Sequence, residues 1–243
     1  MSIEHIRAIL FVILLSVAGS GWAEDGGTVE PAVTPAPALS KEAATVGGAD
    51  SSPQEATTDD TANDSAADVV KQLNASLQKV LEEAEQLGYK GRAERLSPIL
   101  DAAFDFNYMA EKTVGRHWST LSADEQKRWV ELFAELTKAT YAGRFDRFTG
   151  QRFEFVDEQQ GATGTVVVRS KVIDPEEDDV DLSYRLSKTL TGWKVIDVYY
   201  KGTVSELAMR RADYSSVLKS DGFDALVARV NERIAELSAN GSP

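Results

Sequence analysis

The chain contains no cysteine. That absence removes disulfides, thiol nucleophiles, cysteine-held metals and a lipid-modified cysteine anchor together. Histidine is almost as scarce: of two, His5 lies near the start, which leaves His117 alone for the rest of the chain. No HExxH pair, phosphate-binding glycine loop or GxSxG elbow occurs. Positive charge is short as well, with 26 Lys and Arg against 39 Asp and Glu, so nucleic acid is excluded as a partner class. Nor is there a long apolar run. Residues 9–18 fall well below the roughly 20 residues of a membrane-spanning helix.

That short run reads as the core of a secretory signal over residues 1–23, with Arg7 before it and small residues allowing cleavage after Ala23. An uncleaved anchor competes with this reading, because the basic region is weak and includes Glu4. Export without disulfides fits a bacterial periplasm. Residues 24–65 hold nine acids and one lysine among Ala, Thr, Pro, Gly and Ser, and carry −8 of the net −13. Such a segment buries too little apolar surface to repay ordering, and reads as a disordered acidic spacer. The remainder is left at −5, and 42% hydrophobic residues suffice for one globular domain over 66–238, with a frayed end at 239–243.

The organising stretch of that domain runs from Phe104 to Phe148. Ser122 and Glu125 form a capping-box pair, after which Trp129, Leu132, Phe133, Leu136 and Thr140 recur at helical spacing, with Tyr141, Phe145 and Phe148 extending the series. Before it, Val69, Leu73, Leu77, Val80, Leu81, Ala84 and Leu87 predict a helix stopping at Gly88. A shorter one over 92–104 should be interrupted or bent at Pro98, and a third should be capped by Asp105 or Asn107 and end at Gly115. After Gly150 the period changes to two. Strands are expected at 152–156, 163–173, 180–188 and 193–200, the last bulky on both faces and so central. Thr203 and Glu206 offer a second capping box, and Gly222 divides the two final helices. The fold class is α+β: a helical layer on a four-stranded antiparallel sheet.

Chemistry is thin. A small hydrolase or isomerase would have to use His117 with Asp105 or Asp197, while the plain reading puts His117 beside Trp118 as packing at a helix corner. The acidic residues 174–179 lack the glycine and distal glutamate of a calcium loop and read as a solvated hairpin end. Arg210 and Arg211 read as helix surface, with contact to a lipid headgroup as the competing reading. No metal, cofactor or catalytic residue is indicated.

Several ordered segments resemble the MlaC-type, toluene-tolerance family of periplasmic phospholipid-binding proteins. They are Arg95-Leu96-Ser97-Pro98-Ile99-Leu100, Phe104-Asp105-Phe106 with Met109-Ala110, Gly115-Arg116-His117-Trp118, Leu132-Phe133, and Thr140-Tyr141-Ala142. Tyr184-Arg185-Leu186, the run from Gly192 to Val198, and Gly202-Thr203-Val204-Ser205 follow in the same order. The resemblance implies a curved, NTF2-like sheet closed by helices over a deep apolar cavity for acyl chains. It implies no enzyme activity, phospholipid or a related lipid as ligand, and two partners: an inner-membrane ABC/MCE transport complex and an outer-membrane lipoprotein complex. On that basis Leu73, Leu77, Met109, Val114, Phe133, Tyr141, Tyr184, Val195, Val198 and Leu207 are expected to line the cavity. The long acidic spacer departs from the family pattern, and residues 199–206 look nearer to a branch linked to hopanoids and other lipids.

Overall fold

A computed structural model describes residues 65–240. The expected signal, nearly all of the expected spacer and residues 241–243 lie outside the described residues. Ser65, assigned to the spacer, caps the first helix: its Oγ accepts the Asp68 amide at 3.1 Å. Helix α1 (Ala66–Glu82) buries Val69, Leu73, Leu77, Val80 and Leu81 along one side. It ends before the expected Gly88, because α2 (Ala84–Ala103) starts directly after Glu83 and Gly88, at φ 57°, kinks that second helix. Nor does Pro98 interrupt α2. Pro98 and Glu94, whose carbonyl the proline deprives of a partner, are both exposed, so water can take the free acceptor.

Helix α3 (Phe106–Val114) is capped by Asp105, whose Oδ1 accepts the Tyr108 amide at 2.9 Å. It stops at Gly115, which has φ 56° and lies so close to Arg211 that a Cβ would fall 2.7 Å from the guanidinium Nε. A short 3-10 turn (Gly115–Thr120) leads to α4 (Ala123–Arg144), where both halves of the Ser122–Glu125 capping box form. Trp129, Leu132, Phe133, Leu136 and Thr140 are buried along it, as their spacing requires.

The sheet has five antiparallel strands in sequence order: β1 (Arg152–Gln160), β2 (Val166–Ile173), β3 (Val180–Thr189), β4 (Gly192–Tyr200) and β5 (Val204–Ser205). Four were expected. The fifth lies where the last capping box was placed: Val204 pairs with Tyr200, so the helix starts two residues later, capped by the Ser205 hydroxyl on the Ala208 amide at 3.0 Å. The strand β4, bulky on both faces, is next to the edge, not central. Its outer side is covered by the short β5 and by the chain at Phe104–Asp105, where the Asp105 amide donates to the Val195 carbonyl at 2.9 Å.

A bulge in β1 sets which side chains meet the helices. Phe153 and Phe155 pair with Val172 and Ser170, but the register then skips Val156, so Asp157 pairs with Arg169 and Glu158 with Val168. Phe153, Phe155 and Glu158 therefore share the helix-facing side, where Glu158 accepts the Ala67 amide at 3.0 Å. Asp157 turns to the far side and pairs with Arg169. Helices α5 (Glu206–Ser220) and α6 (Gly222–Asn240) complete the fold. The helix runs through Asn240, past the expected fraying point, and packs against α4, with Leu237 beside Gly143.

Candidate apolar site and its flanks

The ten expected cavity residues come from six elements: α1, α3, α4, β3, β4 and α5. All ten are buried in one continuous core. Met109, Val114, Phe133, Tyr184 and Val195 are at most 1% exposed, so no water-sized void borders them. Around those five side chains the core is closely packed. Polar groups inside it are matched: Tyr184 donates its hydroxyl to Asn74 Oδ1 at 3.0 Å, and Asn74 Nδ2 donates to Ser170 Oγ at 3.0 Å. Burial pushes the Tyr184 and Tyr141 hydroxyls well above their ordinary pKa, so both stay neutral.

The opposite flank is held differently. Trp129 meets Tyr214 edge-on with ring centroids 5.2 Å apart, and its Nε1 donates to the Ala110 carbonyl at 3.1 Å. Arg210 is not helix surface, as its sequence suggested. Its side chain is 11% exposed, its Nε donates to Glu206 at 2.8 Å, and its Nη1 donates to the Tyr214 hydroxyl at 3.1 Å. The guanidinium also lies 5.5 Å from the Phe133 ring centre. Burial raises the Glu206 carboxyl even with Arg210 beside it. Asp197, similarly raised by burial, accepts from the Ser205 hydroxyl at 2.6 Å and the amides of Val198 and Leu207, fixing the start of α5 on β4.

Among the described residues, surface clefts open beside this core. The larger, about 690 Å³, lies between α3, α4 and the β3–β4 turn, over Phe104 and Phe106. The smaller, about 300 Å³, separates α1 from the end of α2 and is lined by Val69, Leu73, Pro98, Ile99 and Ala103 among others. Of the ten core residues, Leu73 borders the smaller cleft and the other nine border neither. The hydrolytic arrangement is not assembled: His117 Nε2 is buried without a hydrogen-bond partner, so neither Asp105 nor Asp197 pairs with it. Asp174 uses its Oδ1 to accept the amides of Glu176 and Glu177, closing the acidic loop as a turn. Among the described residues no group of three or more acids and histidines is placed to hold a metal, and no helix is long and apolar enough to cross a membrane.

Residues 70–232 match the family model described as MlaC protein, more than half of the chain. The chain belongs to the MlaC family. The intermembrane phospholipid transport system binding protein MlaC of Haemophilus influenzae is 22% identical over 136 residues, which cover 54% of this chain and 63% of that protein. The chain thus spans somewhat under two thirds of that relative's length. A phospholipid-binding protein of Ralstonia solanacearum, solved in complex with a phospholipid, aligns with a TM-score of 0.61 and 26% identity, over 71% of this chain and 98% of that one.

Reading this MlaC-family sequence for large apolar residues found the core but missed its polar members. Asn74 and Ser170 sit at inward positions of α1 and β2, and only their registers mark them as buried. Glu206, Arg210 and Tyr214 recur every four residues, a spacing that could have signalled one connected row along α5.

Proposed function

We propose that this MlaC-family chain is a soluble periplasmic lipid carrier. It holds the acyl chains of a phospholipid or related lipid among Leu73, Leu77, Met109, Val114, Phe133, Tyr141, Tyr184, Val195, Val198 and Leu207. The observation that carries this reading is the convergence of those ten side chains from six elements into one apolar core, with Leu73 reaching the cleft between α1 and α2. Because the core is packed, loading requires α1 to part from α2 and the sheet. The bulges in β1 and between β3 and β4 favour a sheet bent around such a chamber, the curved NTF2-like form.

The physical need for a carrier is plain. At about 0.8 kcal/mol per CH₂, a chain of roughly 16 carbons costs on the order of 12 kcal/mol to expose to water. An apolar protein core substitutes for the bilayer interior during the crossing. The carrier reading places the chain after export, with residues 1–23 as signal, 24–65 as spacer and 66–238 as the lipid-binding domain. Its partners are an inner-membrane ABC/MCE complex and an outer-membrane lipoprotein complex. Native mass spectrometry of the full chain, purified from a periplasmic fraction without detergent, tests this. One bound lipid, named after extraction, is expected; protein that neither carries lipid nor acquires it from phospholipid vesicles overturns the reading.

A further inference from the structure

We propose that the larger cleft is a docking site for a basic, aliphatic helical segment of a partner protein. Its floor is apolar, made by Phe104, Phe106, Val130 and Ala134, and its volume of about 690 Å³ admits several side chains. The β3–β4 turn, whose Thr189 and Thr191 line the cleft, holds between them Leu190, which at 107% exposure is the most exposed large apolar side chain among the described residues. An aliphatic side chain held out in this way gains by being covered.

Charge selects the occupant. The two lysines in the cleft are already engaged: Lys138 with Asp101 at 2.7 Å, and Lys194 with the Ala102 carbonyl. Asp105 is occupied as the α3 cap. Glu131 and Glu135 remain on the α4 wall, one helical turn apart and both exposed. Lys127 reaches Glu131 only at 4.0 Å, with both groups mostly in water, and no cation among the described residues pairs with Glu135. Two carboxylates carried on Cβ atoms about 5–6 Å apart match two cations one turn apart on a facing helix. The same charges act against the chain's own residues 24–65, which carry −8, and against an anionic bilayer.

The site stands whether or not the core carries lipid, and its test reads protein contact rather than lipid transfer. A photo-crosslinking benzoylphenylalanine replaces Leu190 in the full chain, exported in living bacteria, and the adduct is sequenced by mass spectrometry. The expected adduct is a segment of another protein with two Lys or Arg one helical turn apart. Its yield should fall roughly tenfold in E131K/E135K and hold in E176K/E177K, a matched reversal on the acidic loop. The milder E131Q/E135Q, expected to cut yield about threefold, decides the matter should charge reversal lower the melting midpoint. Adducts with lipid, with residues 24–65 or with a second copy, no adduct at all, or a yield indifferent to residues 131 and 135 would each overturn the proposal.

Discussion

The two flanks of the core are held by different kinds of contact. On one, α1 lies over β1 and β2 through aliphatic side chains, a neutral trio of Asn74, Tyr184 and Ser170, and rim contacts such as Gln78 donating to the Gln151 carbonyl at 2.8 Å. On the other, α3, α4 and α5 are joined by Trp129 with its matched indole N–H and by the buried Glu206–Arg210–Tyr214 row. Aliphatic contacts reform readily against another apolar surface, including an acyl chain. A buried ion pair has no such substitute, because parting it strands a charge. On the carrier reading proposed above, the contrast makes α1 the movable wall and the Trp129–Arg210 flank the fixed one.

The largest effect should come from the fixed flank. Trp129→Ala is expected to lower unfolding free energy by about 3–5 kcal/mol in urea titration, by removing a fully buried ring and its hydrogen bond. Arg210→Met should cost a similar ~3–5 kcal/mol by leaving Glu206 buried and unpaired, and the double variant Glu206→Gln with Arg210→Met should regain much of it. On the movable flank Tyr184→Phe should cost only about 1–2 kcal/mol, since Asn74 alone loses a partner. Equal costs on the two flanks would erase the contrast.

Much of this was legible in the sequence. The apolar spacing of 129–140 placed α4, Ser122 and Glu125 its cap, and the alternation in 180–188 the face of β3. What escaped was whatever tertiary contact decides. Val204 is drawn into a strand by Tyr200, which moves the α5 cap from Thr203 to Ser205. Arg210 looks like surface until α4 brings Phe133 against it. The bulge at Val156 reverses the facing of β1 halfway along, which no local pattern announces. The burial of the ten residues expected to line a cavity was readable because burial follows hydrophobic spacing, whereas the larger cleft depends on a hairpin tip meeting α3 and α4.

A smaller effect separates the flanks by pH. Burial raises the carboxyls of Glu206 and Asp197 above their ordinary values of 4.5 and 3.8. An acid so raised holds its proton better folded than unfolded. Its contribution is full below the unfolded value and is lost as pH climbs through the folded one. The melting midpoint should therefore rise modestly as pH is lowered from about 7 toward 4.5, and Glu206→Gln should blunt that rise. At lower pH the trend reverses. Glu125, bonded to the Ser122 amide, and Asp157, bonded to Arg169, are held below the usual carboxylate range, and what they contribute is lost as they protonate.

The central claim is that α1 opens against α2 to admit acyl chains, and the absence of native cysteine makes it directly testable. Ser76→Cys and Ile99→Cys place one thiol on each wall of the smaller cleft. A short reducible bis-thiol tether joins them in the full chain, and uptake of fluorescent phospholipid from phosphatidylethanolamine–phosphatidylglycerol vesicles is then followed. The account predicts that the tether halts uptake and that reduction restores it. Uptake by the tethered protein at the untethered rate would contradict it.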